Sequence, residues 1–378
     1  MIYLDNAASS WPKPPQVEES MVEVLRDYGA NPGRSGHQLA AKAADTIYQI
    51  RSQLAKLFHV KNPNDIVFTQ NATESLNLGL KGYLKSGDHV VTTSFEHNSV
   101  RRPLEYLREF GVEISYVSGA IDGKLSAQDI EQAIRENTKL IVVTHASNLT
   151  GSILPIEELG KLAHKKNIRF MVDASQTAGY CPIDVEAMKI DLLAFTGHKS
   201  LYGPQGTGGL YIHPELDLVP LLHGGTGGHS ELIEQPPVRP DRYESGTRNT
   251  VGIAGLGAGV RFIEETGLDV IRKHEEHLTD FLMEEMGRVK GLTIYGPEKG
   301  HPRCPIVSFS IDGFDASEIG FILDTHYQIA VRAGLHCSPL AHETIGTIEG
   351  GLVRASLGFF NTKNHIEEFV RALRDIVS

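Results

Sequence analysis

Cysteine is scarce in this sequence: 378 residues contain three, Cys181, Cys304 and Cys337. They are odd in number, widely spaced and never in a CxxC pair, which argues against a disulfide framework or a thiolate zinc site. Concentrated positive charge is missing too. Lys and Arg total 36 against 47 Asp and Glu, a formal net charge of −11, and basic residues cluster no further than pairs such as Arg101-Arg102. A chain this acidic is a poor match for nucleic acid or an anionic membrane surface. No apolar run approaches the ~20 residues a membrane span requires. The opening MIYLDNAASS has an acid at Asp5 and no basic-then-apolar run, so it does not read as a secretory leader. What is present is ordinary: 40% apolar and 22% charged residues, in a length that fits two domains or one large α/β domain with an appendage. The expectation is a cytoplasmic globular protein with free thiols and no metal site.

From about residue 50 to 260, short β-branched runs alternate with stretches of helical periodicity. Strands are expected at 65–69, 89–94, 113–117, 139–145, 169–173, 192–196 and 209–212. Such alternation predicts a mainly parallel sheet covered on both faces, with ligand sites at the carboxyl ends of its strands. The Gly-rich GIAGLGAG at 252–259 opens a helical region expected to run to about Gly287. Strands near 291–295 and 306–311, a helix near 316–325 and a final helix from Lys363 then predict a smaller α+β domain, with the boundary near residue 255. The Gly- and Pro-rich stretch 222–242 reads as a long loop.

Four features fall at the strand ends. The polar turn TQNATES (69–75) precedes a helix, with Thr73 as the expected N-cap, and helix starts of this kind bind phosphate. Asp173 closes the apolar strand RFMVD, where a carboxylate is costly unless a cation meets it. A protonated pyridine nitrogen is one such cation; a buried structural Asp or a magnesium ligand are the other readings. Lys199 follows strand LLAFT in Thr-Gly-His-Lys, where burial would lower its pKa for covalent chemistry with a carbonyl. His97, after HVVTTSFE, could stack on a flat cofactor. The HxxH at His274 and His277 has no partner acid and reads as a solvated helix face. Singly each feature is weak. Together they describe one site for pyridoxal phosphate.

At this point the sequence resembles the cysteine desulfurase and selenocysteine lyase group, type II-like, of the class V aminotransferases. The shared segments include YLDNAAS (3–9), FTQNATESLNL (68–78), SFEHNSV (94–100), HASNLTG (145–151), VDASQTAG (172–179), FTGHKSLYGP (195–204), YESGTRNT (243–250), VRAGLHCSP (331–339) and VRASLGFFNT (353–362). The resemblance implies fold type I of the pyridoxal phosphate enzymes. It implies a large cofactor domain over 16–255 with a seven-stranded sheet. A small domain over 256–378, with 1–15, would carry a catalytic Cys loop.

By the same resemblance, Lys199 carries the cofactor and later acts as the base. Asp173 faces the ring nitrogen, Gln176 the phenolic oxygen and His97 the ring face, with Asn148 near both substrate and cofactor. Phosphate contacts would come from Ala72 and Thr73, from Thr196 and His198, and from Thr247 of a second copy in a homodimer. Arg354 would grip the substrate carboxylate, with Arg34 and Arg332 also on the substrate side and His37 near Arg34. Cys337, among cationic neighbours that favour the thiolate, would accept sulfur from L-cysteine as a persulfide and pass it to an acceptor protein, leaving L-alanine. Cys181 and Cys304 read as inert core thiols. Alternatives within the same chemistry are a selenocysteine lyase, a cysteine sulfinate desulfinase, or an epimerase or lyase of this fold. A non-catalytic sulfur-delivery scaffold is the alternative outside it. Leu335, Gly33 and Ala72 depart from the group's usual His, His and Thr.

Overall fold

The computed structural model describes residues 1–33, 36–120 and 122–378. Its first elements are β1 (Ile2–Tyr3), α1 (Pro15–Asp27), α2 (Gln38–Leu57), β2 (Ile66–Thr69), α3 (Ala72–Tyr83), β3 (His89–Thr93) and α4 (Asn98–Arg108). They are followed by β4 (Glu113–Val117), α5 (Ala127–Gln132), β5 (Thr138–Thr144), α6 (Ile156–Lys165), β6 (Arg169–Asp173), β7 (Leu192–Thr196) and β8 (Gly208–Ile212). Seven of these strands form one sheet in the order β2-β8-β7-β6-β5-β3-β4. All pairings are parallel except those of β8 with β7 and β2. The expected mainly parallel, seven-stranded α/β fold is what the chain forms.

Period-two alternation explains why these apolar runs become central strands. Ile141, Val143, Phe170, Val172, Leu193 and Phe195 join the core under α2 and α6. Their neighbours Leu140, Val142, Met171, Leu192 and Ala194 join a second core under α3 and α4 on the opposite face. Strands buried on both faces have no polar side to show, as covered parallel sheets require. No helix or strand occurs between Ile212 and Thr250, so 222–242 is the long loop its composition predicted.

The remaining elements are α7 (Thr250–Thr266), α8 (Leu268–Met286), β9 (Leu292–Tyr295), β10 (Ile306–Ile311), α9 (Ala316–Tyr327), β11 (Ile329–Ala330), β12 (Arg332–Gly334), α10 (Pro339–Ile345), β13 (Leu352–Ser356) and α11 (Lys363–Ile376). The helical region expected to run to about Gly287 consists of two helices, parted at Gly267, whose φ of +91° suits glycine. The glycines of α7 serve close packing. A methyl group on Gly259 would stand 2.2 Å from the Leu201 carbonyl oxygen, so α7 presses directly on the turn that follows Lys199. The antiparallel sheet β12-β13-β10-β9 packs with α8, α9 and α11 around its own core, which also takes Ile2 and Leu4 from the N-terminal segment. The position near 255 expected to separate two domains lies inside α7, which packs on α1 and α2.

Candidate active site

A cavity of about 220 Å³ opens at the carboxyl ends of β5, β6 and β7. Its lining includes Thr73, His97, Asn148, Asp173, Gln176 and Lys199. Ala72, Thr196, His198, Arg332 and Arg354 line it as well, so eleven residues expected from separate segments meet there. Thr247 is exposed and is not part of this lining. Arg34 lies outside the described residues. His37 is an exposed N-cap of α2, its Nδ1 accepting the Ala40 N–H at 3.2 Å.

The helix start at the cavity is shifted from its expected place. Asn71, not Thr73, is the N-cap of α3, its Oδ1 accepting the Glu74 N–H at 3.0 Å. Thr73 sits in the first turn, where its hydroxyl pairs with Ser99 Oγ at 2.7 Å. Asn and Thr are both good caps, so the residue types in the motif NAT do not by themselves favour Asn71 over the expected Thr73. The free N–H groups of this first turn favour an anion.

Asp173 is 3% exposed at the end of β6, and its Oδ1 accepts the Ser175 N–H and hydroxyl. Oδ2 carries no bond among the described residues. His97 caps α4 through Nδ1, which lies 3.0 Å from the Ser99 N–H. That bond fixes the ring, and burial together with Lys199 pushes its pKa down to about 4, so the imidazole is neutral. Lys199 keeps some surface, but its ammonium end is desolvated. Burial brings its pKa down to about 8, with Asp173 pulling the other way. The Ser10 hydroxyl holds the Lys199 carbonyl at 2.8 Å, and the Lys13 amine holds that of His198 at 2.8 Å.

Arg354, 1% exposed, projects from β13. Its Nη2 donates to Asp5 Oδ1 at 2.7 Å and its Nη1 to the Asn148 carbonyl at 2.9 Å. The Asn148 amide is committed to the loop that carries Cys337: Nδ2 donates to the His336 carbonyl at 2.7 Å, and Oδ1 accepts the Ser338 hydroxyl at 2.6 Å. The Asn98 N–H, next to His97, donates to the Cys337 carbonyl at 2.8 Å. His336 and Cys337 both adopt left-handed backbone, φ +51° and +58°. Two non-glycine residues in this region form a strained turn that only firm anchoring sustains. Arg332 Nη2 stands 3.4 Å from the Cys337 sulfur.

Of the two cysteines expected to be inert core thiols, Cys304 is one and Cys181 is not fully buried. A hydrogen bond between the two, with burial, raises the Cys304 pKa. His274 is likewise not on a solvated face: its Nε2 lies 3.1 Å from the Asn361 carbonyl, and its ring meets Phe359 edge-on. Sequence reasoning missed Asp5, Ser10, Lys13, Ser99 and Ser338. All but Lys13 lie in the shared segments or directly beside them, and Asp5 sits in the quoted YLDNAAS.

Whether the cavity suits pyridoxal phosphate is tested by what it leaves unpaired. Thr196 Oγ1, His198 Nδ1 and Arg354 Nε are buried polar atoms without a partner among the described residues. Such atoms are rare and call for an occupant. A phosphate beside Thr196 and His198, and a carboxylate at Arg354, would satisfy them. No group of three or more His, Cys, Asp or Glu side chains suited to a metal ion occurs among the described residues.

Residues 2–369 match the family model described as aminotransferase class-V. A probable cysteine desulfurase of Methanothermobacter thermautotrophicus is 35% identical, over 99% of this chain and 94% of the relative. One of Pyrococcus abyssi is 36% identical, over 100% and 94%. The solved apo structure of a cysteine desulfurase from Thermococcus onnurineus NA1 superposes with a TM-score of 0.92 at 36% identity, covering 100% of this chain and 94% of that one. With end-to-end matches in sequence, in fold and in the segments that build the cavity, this chain belongs to the class-V aminotransferase family, in its cysteine desulfurase group.

Proposed function

We propose that this chain is a pyridoxal phosphate-dependent cysteine desulfurase that converts L-cysteine to L-alanine and carries the released sulfur on Cys337. The observation that carries the reading is the Cys337 loop, tied by Asn148 and Asn98 to the rim of the cavity that holds Lys199 and Asp173, with Arg332 beside the sulfur.

In this reading the α3 start at Ala72 and Thr73, with Thr196 and His198, holds the phosphate. Asp173, Gln176 and His97 address the ring, and Lys199 holds it covalently. The cofactor supplies an electron sink for the carbon from which a proton is removed. Arg354 orients the substrate carboxylate with the N–H groups that Asp5 and Asn148 leave free. The free Lys199 amine, brought down to about 8 by burial, would be near enough to neutral to take the substrate Cα proton. The Cys337 thiolate then attacks the substrate sulfur. A sulfur–sulfur bond forms and the Cβ–sulfur bond breaks, its electron pair staying on carbon, which is protonated to give alanine. Arg332 Nη2, 3.4 Å from the Cys337 sulfur, orients it for the attack.

In this reading a small C-terminal domain brings Arg354, Arg332 and Cys337 to the cofactor cavity of a large one. Thr247, exposed here, is assigned to the phosphate of a second copy, and a protein acceptor takes the sulfur onward. The test is alanine release from L-cysteine by wild type and Cys337→Ala. Turnover is expected to fall at least 100-fold in the variant; unchanged turnover removes the persulfide route. Selenocysteine lyase is not favoured by any observation here.

A further inference from the structure

We propose that Glu96 is a positioning residue of this site: an uncharged carboxylic acid that fastens the turn carrying His97 to the strand end beside Asp173. Glu96 is fully buried. Its Oε1 accepts the Thr93 hydroxyl at 2.7 Å and the Thr144 N–H at 3.0 Å. Thr93 ends β3, and His97 follows Glu96 directly and caps α4. Thr144 ends β5, pairs in register with Asp173 on β6 and lines the cavity. The next N–H, of His145, donates to the Asp173 carbonyl at 2.9 Å. One carboxyl oxygen thus joins the two walls that hold the imidazole and the aspartate. Their separation is the space a flat ring would fill, so the inference rests on the reading of His97 and Asp173 as ring contacts.

Charge decides the form of the acid. Glu96 Oε2 is buried with no partner among the described residues, and an ionised carboxylate in that setting is far costlier than a neutral one. The titratable groups around the junction are His97 on its own turn, His145 after β5, Asp173 on β6 and Lys199 after β7. The two imidazoles are pushed down to about 4 and are neutral. Asp173 is the anion that bears on Glu96, and Lys199 is drawn to Asp173. Burial first, against the two hydrogen bonds and with Asp173 adding, lifts the Glu96 pKa to about 8. Above that pH a second negative charge stands beside Asp173 and pushes the two walls apart.

The experiment compares wild type, E96Q and E96A in two readouts across pH 7 to 9. One is pyridoxal phosphate affinity, followed by the cofactor's absorbance. The other is thermal unfolding of the cofactor-free chain. A neutral amide keeps the accepting oxygen, so E96Q is expected to match wild type at pH 7, while E96A binds the cofactor about tenfold more weakly. Relative to E96Q, wild type is expected to lose about tenfold in affinity by pH 9, one unit above a pKa of about 8. Its unfolding midpoint should fall over the same range more steeply than that of E96Q, in which Glu275, likewise buried and raised to about 8, still loses its proton. A purely structural role would leave the pH curves of wild type and E96Q parallel. Parallel curves in both readouts overturn the proposal, and so does an E96Q that fails to fold. Divergent melts, with no cofactor bound by either protein, overturn the ring-contact role and the reading of the cavity while upholding the neutral acid.

Discussion

Arg332 and Arg354 are neighbours across β12 and β13, yet the structure gives them different tasks. Arg354 is buried, held by Asp5 and Asn148, and faces the cavity; Arg332 reaches the sulfur of Cys337. At 3.4 Å the Arg332 guanidinium donates to the Cys337 sulfur and holds it in place. Arg332→Ala is therefore expected to slow alanine release from L-cysteine by about 3- to 10-fold, as the loss of one hydrogen bond does. Release at an unchanged rate would free Arg332 from that role. At this scale the sequence was informative wherever a residue's type suits only one task. A lysine after a buried strand, or a cysteine among cations, could be singled out by reading. The Asp5–Arg354 pair could not be, because 349 positions separate its members and only the folded small sheet joins them.

Elements were legible in proportion to how one-sided their burial pattern is. Strands β5, β6 and β7 are apolar on both faces and fall within a residue of their expected limits. Strands β12 and β13 were not anticipated, because each is short and carries an arginine whose partner is elsewhere in the fold. Helix α3 forms where the sequence predicts it, but its cap is Asn71, two residues before the expected Thr73. Asn71→Ala should therefore cost about 1 kcal/mol in an unfolding titration, as the loss of an N-cap does. Thr73→Ala should cost less, since it gives up one hydroxyl contact with Ser99. The reverse order would return the cap to Thr73. The density of glycine in α7 is plain in the sequence, whereas its reason, contact with the turn after Lys199, is visible only in three dimensions.

For the whole molecule, buried ionisable groups set an alkaline limit. Burial lifts Glu96 and Glu275 to about 8 from an ordinary 4.5. Groups raised in this way contribute stability that is complete below pH 4.5 and is lost as pH rises through 8. His145 and His198, held down to about 4 mainly by burial, contribute in the opposite sense: stability present above 6.5 is lost as pH falls through 4. Lys13 and Lys199, lowered to about 8, remain protonated in both states below that pH and add no slope there. Between pH 6.5 and 8 the two glutamates dominate this set, and stability should decline by up to about 2.7 kcal/mol per pH unit. Urea titrations of the cofactor-free chain at pH 6.5 and 7.5 check this, and Glu275→Gln should remove about half the slope. A flat profile would mean that these carboxyls are not protonated in the fold.

The central claim is that Cys337 takes sulfur from the substrate, and it is tested most directly by mass spectrometry of the protein after a single turnover with L-cysteine. The account predicts a Cys337 peptide one sulfur atom heavier, with L-alanine formed in equal amount and Cys181 and Cys304 unmodified. Alanine formed while Cys337 stays unmodified, or sulfur found on Cys181 or Cys304 instead, would contradict it.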